Sequence, residues 1–241
     1  MIPIIMVSLI FFFASIAMTI PAFSGEWLSP VQLTKNSISD QVPIMNADGT
    51  KIAYYSNEDG DDDIYLMEYQ NGVWQQSQKL TFNITSDTMP TLDDYGNKIS
   101  YIGGEPDDRS IFFLEYSDGI WKQSIRITDN SLNDYFPSIN SDGTKIIFQS
   151  KDEQGKRSIR FLEFTEGEWN NPITLPSLTD NNMFPEINSA GTKVCFHAEE
   201  SGYRHIYFSE YRENAWSDPV ILTEGDEQNV QVSINSDGTK I

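Results

Sequence analysis

Residues 136–175, FPSINSDGTKIIFQSKDEQGKRSIRFLEFTEGEWNNPITL, show apolar and polar positions alternating in short runs broken by polar turns. The first run, around Pro137 to Asn140, ends in Asn-Ser-Asp-Gly, whose Asx side chains hold a tight turn while Gly143 takes the left-handed backbone. Lys145–Gln149 reads as a second strand, and Ser158–Phe164 alternates as a half-buried third. A glycine-containing hairpin leads to a fourth, Trp169–Leu175, whose tryptophan and leucine are expected on one face at period two.

The same pattern recurs along the chain. Tryptophans stand at Trp27, Trp74, Trp121, Trp169 and Trp216, with spacings of 47, 47, 48 and 47 residues. Turn glycines keep the same interval at Gly49, Gly96, Gly143, Gly191 and Gly238, and prolines precede the first four at Pro43, Pro90, Pro137 and Pro185, with Val232 at the fifth place. Four short strands per period and no helical pattern predict an all-β fold, a β-propeller of four-stranded blades. The tryptophans are expected to pack blade on blade, and the glycines to close the first turn of each blade. Four complete repeats with partial ones at both ends predict five or six blades on completion. Gly25–Thr34 is expected to form a lone fourth strand, and Val230–Ile241 a first strand and the start of a second. Roughly 17 further residues would complete five blades and about 64 would complete six.

Composition adds a compartment and a charge. Residues 1–24 carry no charge and are almost wholly apolar up to Ile20, and Ala22-Phe23-Ser24 has small residues at the places a signal peptidase requires. A signal peptide over 1–24 and a propeller domain over 25–241 are expected, in a periplasmic or secreted protein that meets a membrane only through an uncleaved leader. The chain has 36 acidic and 16 basic residues, a net charge of −20, which disfavours nucleic acid and leaves basic proteins, cations or neutral glycans as partners. Cys195 is the one cysteine, so there is no disulfide framework.

The phrases PSINSDGTKIIF and DIYLMEY resemble the TolB-type propeller repeat, and HIYFSEYRENAWSDPVILT (205–223) is similar to a variant found in bacterial envelope proteins. The resemblance covers residues 26–241 and lacks the separate N-terminal domain of TolB. It implies a non-enzymatic module that binds an envelope protein, Pal-like or otherwise peptidoglycan-associated, or a glycan. The alternatives are a substrate-gating propeller of a prolyl-oligopeptidase-like hydrolase and a carbohydrate-active propeller.

Catalytic motifs are absent from the sequence, and no cofactor or metal site is predicted. The acidic stretch NEDGDDD (57–63) lacks the spacing of an EF-hand loop and reads as solvated. His197, His205 and Cys195 read as ordinary strand or loop residues. Three residues before each proline, or its substitute, stand Asp40, Asp87, Asp134, Asn182 and Asn229. In a propeller the first strand of each blade lines the central channel, so these residues are candidates for a polar, ligand-binding ring at one mouth; equally, each Asx can cap the turn into its strand. Near-equivalent aspartates do not supply the unequal environments that a general acid and base require.

Overall fold

Each repeat begins on its Asx-Gly turn. The computed structural model describes residues 29–129, 132–225 and 228–241; the segment 1–24, expected to be a signal peptide, and Trp27 lie outside them. Asn140 Oδ1 accepts hydrogen bonds from the backbone N–H groups of Thr144 (3.0 Å) and Lys145 (2.8 Å), while Gly143 sits at φ 65°. Asn46, Asp93, Asn188 and Asn235 accept the same pair of bonds at their own turns. Satisfying two turn donors locally reverses the chain in few residues.

The chain divides into the units Met1–Leu33 and Thr34–Ile241. Of the first, residues 29–33 are described and carry no strand. The second holds four antiparallel sheets. Sheet one comprises β1 (Asp40–Met45), β2 (Lys51–Ser56), β3 (Asp63–Gln70), β4 (Val73–Trp74) and β5 (Gln78–Lys79). Sheet two comprises β6 (Thr88–Leu92), β7 (Lys98–Gly103), β8 (Ser110–Ser117), β9 (Ile120–Trp121) and β10 (Ile125–Arg126). Sheet three comprises β11 (Asn133–Ile139), β12 (Lys145–Lys151), β13 (Arg157–Thr165), β14 (Glu168–Trp169) and β15 (Ile173–Thr174). Sheet four comprises β16 (Asn182–Ile187), β17 (Lys193–Glu200), β18 (Tyr203–Arg212), β19 (Ala215–Trp216) and β20 (Val220–Ile221). Strands pair in chain order, and both outer pieces pair with the third strand. The first strands, β1, β6, β11 and β16, contact one another in succession, as the inner strands of propeller blades do.

The outer strand departs from the continuous one expected. Trp169 pairs with Phe164 but Ile173 pairs with Phe161, so the register slips by one residue between β14 and β15, and the same slip recurs in the other sheets. A one-residue slip turns the side chains to the opposite face. Trp169 therefore packs backward, its ring 5.0 Å from that of Phe113 in sheet two, while Leu175 packs forward with Val194 and Phe196 of sheet four. Trp121 and Trp216 point backward likewise, Trp216 lying 5.3 Å from Phe161. The expectation that tryptophan and leucine share a face is corrected by this bulge. Together they lock three consecutive sheets.

The segments flanking the four sheets also differ from expectation. Residues 29–34 form no strand, and 229–233 forms none although its turn closes as the others do, Gly238 N donating to Asn235 O at 2.9 Å. A turn is satisfied by its own Asx side chain, whereas a strand exists only with a partner.

Two joints connect each sheet to the next. At one, the turns form a backbone relay: Ala47 N donates to Asp94 O (3.2 Å), Asp94 N to Ser141 O (3.1 Å), Ser141 N to Ser189 O (3.1 Å) and Ser189 N to Ser236 O (3.2 Å). Beside it the lysine that opens each second strand crosses the next turn, Lys98 Nζ reaching Asp142 O (2.8 Å) and Lys51 Nζ reaching Gly96 O (2.9 Å). The lysine stem lies where a Cβ on the turn glycine would be, so Gly96, Gly143, Gly191 and Gly238 are required by both φ and space.

The other joint is made by Asx residues. Asp87 N donates to Asp62 O (2.6 Å), Asp134 N to Arg109 O (3.1 Å) and Asn229 N to Arg204 O (2.9 Å), tying each Asx residue to the backbone at the start of the preceding third strand. Asp87 and Asp134 are each 1% exposed, and burial pushes their carboxyls up to about 7 and about 6. Asn83 Nδ2 donates to Asp87 (2.6 Å) and Ser150 Oγ to Asp134 (2.5 Å), which moderates the rise.

Three outcomes are expected. Gly143→Ala lowers stability by about 2 kcal/mol in chemical denaturation, and combining it with Lys98→Ala costs less than the two changes summed, because the overlap is removed. Trp216→Ala costs about 3–5 kcal/mol, whereas Trp74→Ala costs less, since Trp74 joins none of the three buried clusters. A carboxyl whose folded pKa exceeds its unfolded value favours folding below about pH 4, and that contribution is lost as pH rises through 6 to 7. Asp87→Asn with Asp134→Asn, matching Asn182, should therefore gain on the order of 1–3 kcal/mol over wild type at pH 7.5 relative to pH 4.5, read from melting curves at both pH values.

Candidate functional site

The inner strands carry the site because each is kinked at the same place. The residue before each proline, Val42, Met89, Phe136 and Phe184, has φ of 47°, 53°, 51° and 50°, and Gln231 before Val232 has 58°. The ladder registers of β1, β6, β11 and β16 break at these residues. A residue before proline is ordinarily extended, and a β-branched valine at positive φ is rarer still. Each such residue costs on the order of 1–3 kcal/mol and persists where its surroundings dictate it. Five repetitions make the kink part of the repeat, and it turns the side chains into the space shared by all the inner strands.

That space is a cavity of about 330 Å³ walled by the five kinked residues, by Pro43, Pro90, Pro137, Pro185 and Val232, and by Ile44, Thr91 and Glu186. Its wall is mainly apolar. Phe136 and Phe184 meet with ring centroids 4.0 Å apart, and Phe184 is backed by the His197 imidazole at 5.1 Å. His197 is 1% exposed, both its nitrogens lack hydrogen-bond partners, and burial followed by the Arg204 charge pushes its pKa down to about 4, so it packs as a neutral ring.

Glu186 is the one ionisable residue in this wall. Its side chain is exposed in the cavity, where the protein atoms crowded about the carboxylate raise its pKa and a hydrogen bond from Ser138 Oγ (3.1 Å) lowers it. Ser138 Oγ in turn accepts from Ile187 N at 3.2 Å, which fixes the hydroxyl proton toward Glu186.

Asp40, Asp87, Asp134 and Asn182 stand at or next to the starts of the inner strands, Asn229 lies in the strandless segment after sheet four, and none of the five borders the cavity itself. Asp87, Asp134 and Asn182 are buried in the joints between sheets; Asn182 Nδ2 donates to Arg157 O (3.1 Å) and Asn229 Nδ2 to Arg204 O (3.1 Å). Asp40 is half-buried, with Asn36 Nδ2 donating to it at 3.4 Å. The kinked ring and Glu186 were missed in the sequence reading; the signal available was the residue on either side of each repeated proline.

Elsewhere, Asp59, Asp61 and Asp63 place carboxylate oxygens within 4.8 Å of one another, and the Lys79 ammonium pairs with Asp59 and with buried Asp63 (2.6 Å). The cluster thus already holds a cation supplied by the chain. The third-strand glutamates Glu68 and Glu163 pair with Lys51 (3.7 Å) and Lys145 (3.5 Å), away from the cavity. Burial and the nearby Glu186 charge push the Cys195 thiol up to about 12, so it is held as the neutral thiol. A larger cleft of about 650 Å³ between the outer strands of sheets one and two is lined by Lys79, Tyr116 and Trp121. It does not draw on all the repeats, whereas the central cavity does.

No protein-family model matches the chain, and no curated protein matches it in sequence. Solved structures do match. TolB from Acinetobacter baumannii superposes with a TM-score of 0.58 at 21% identity, over 81% of this chain and 47% of that one. A putative TolB from Agrobacterium tumefaciens gives 0.60 at 18% identity, over 80% and 69%. An oligogalacturonate lyase from Vibrio parahaemolyticus gives 0.60 at 15% identity, over 80% and 56%. The chain spans about half the length of the Acinetobacter TolB structure it matches. The fold of this chain is a TolB-like β-propeller.

Proposed function

We propose that the chain is an exported, periplasmic propeller that acts as a non-enzymatic binding module of the cell envelope, with the central cavity as its recognition site. The observation that carries this reading is the convergence of five strained, mainly apolar residues on one cavity with a single carboxylate. Backbone strain held in every repeat is an investment in a shaped surface, and apolar walls with few polar groups characterise ligand sites. Glycoside hydrolysis draws on paired carboxylates, and the cavity wall offers Glu186 alone. The proposed partner is an envelope protein, Pal-like or peptidoglycan-associated, or a glycan. The leader segment and the likeness to TolB structures support the compartment.

A second reading is a propeller that gates or acts on substrate, favoured by the likeness to the oligogalacturonate lyase and to a puromycin-hydrolyzing peptidase from Mycobacterium tuberculosis, of which the chain covers 33%.

A photo-crosslinking residue at Met89 of the full chain, expressed in cells that export it, is expected to trap an envelope protein or glycan. The same residue at Tyr95, exposed on the turn between β6 and β7, is expected not to. Equal labelling from both positions would count against the cavity, and turnover of oligogalacturonate or of prolyl peptides by the purified chain would replace the binding reading with the second one.

A further inference from the structure

The cavity is built asymmetrically although the repeats are alike. At the position after each proline stand Ile44, Thr91, Ser138, Glu186 and Ser233, so a charge occurs in one repeat of five. Thr91 spends its hydroxyl on Ser100 (2.7 Å), and Ser138 gives its proton to Glu186. The Glu186 carboxylate is therefore the one acceptor with full charge facing the cavity, and among the described residues no Lys, Arg or His forms an ion pair with it. An exposed carboxylate in a mainly apolar wall, with one neutral hydrogen bond to Oε2, keeps acceptor capacity toward the cavity. A cation arriving from outside would complete it.

Resting on the reading of the cavity as a recognition site, we propose that it binds a primary ammonium group carried on an apolar stem, with Glu186 as counter-ion and the Phe136–Phe184 wall packing against the stem. Three features specify this class. Ser138 already occupies Oε2, leaving Oε1 as the open acceptor, which suits a compact ammonium better than a guanidinium that seeks both oxygens in a fork. The Phe136–Phe184 pair in the cavity wall offers apolar surface to the methylenes of such a stem. The cavity's 330 Å³ suits one lysine-sized side chain with its flanking atoms. The net charge of −20 draws cations toward the protein as a whole. The ammonium can come from a lysine of a partner polypeptide or from a free alkylamine, and these sources are told apart by the probes.

The full chain is titrated calorimetrically at pH 7.5 with Ac-Phe-Lys-Phe-NH2, with its norleucine and arginine counterparts, and with n-hexylamine. The lysine peptide is expected to bind at least about tenfold tighter than the norleucine peptide and tighter than the arginine peptide. Glu186→Gln, which keeps the bond from Ser138 and stands where other repeats carry neutral residues, is expected to abolish the preference for lysine and leave norleucine binding unchanged. Binding of the lysine peptide alone assigns a polypeptide source; comparable binding of hexylamine assigns a free amine. Equal affinity for lysine and norleucine peptides, or a preference for lysine that survives Glu186→Gln, overturns the inference while leaving the cavity a recognition site. Failure of every probe to bind overturns the inference, and the Met89 crosslink then decides the broader reading separately.

Discussion

A missing carbon atom holds the array together. The turn glycines Gly96, Gly143, Gly191 and Gly238 leave room for the lysine stem of the preceding sheet, and Lys51, Lys98 and Lys193 then reach carbonyls of the turn they cross. The contact brings the turns close enough for the backbone relay from Ala47 through Ser189, which fixes the spacing of the sheets at one end. A side chain on the glycine would displace the lysine and strain the φ of the turn together, so the two functions of the residue are inseparable. With the sheets spaced at this end, the Asx joints at the starts of the inner strands and the backward-facing tryptophans set the angle between sheets.

The cavity follows from those joints. An inner strand tethered at its start by Asp87 or Asp134 and at its end by the Asx-Gly turn has one extra residue to accommodate, and it does so as a bulge before the proline. The proline has no N–H to contribute to the ladder there, so the bulge forfeits little hydrogen bonding. What it gains is direction, since the kinked residue turns toward the axis. Core aromatic packing and cavity formation are thus separate outcomes of two bulges in each sheet, one in the outer strand and one in the inner.

Much of this was legible in the sequence. The period of 47 gave the repeat, and the alternation gave four strands with correct order and the right turn chemistry at Asn140 to Gly143. The face of Leu175 relative to Trp169 was not legible, because a slip of one residue leaves periodic residues at the same spacing while reversing their direction. The Asx series was visible as a series, but whether such a side chain faces a channel or a neighbouring loop depends on the sheet-to-sheet distance, which no single repeat encodes. Glu186 passed unnoticed for a different reason: attention to what recurs hides what occurs once. Its environment is supplied by Ser138 from the neighbouring repeat, 48 residues away.

One interval is longer than the rest, 48 residues between Trp121 and Trp169. Counting from Gly143 to Trp169 gives 26 residues, against 25 from Gly96 to Trp121, which places the addition between the turn and the outer strand. There the exposed hairpin loop of Asp152–Lys156 closes on its own Asx bonds, Asp152 Oδ1 accepting from Gln154 N (3.0 Å) and Lys156 N (2.9 Å). The insertion has left the relay, the lysine crossing and the tryptophan stacking of that sheet in place. Such a scaffold separates heritable variation into two compartments: rim hairpins that tolerate changes in length, and an axis where a single substitution, as at Glu186, alters chemistry without disturbing architecture.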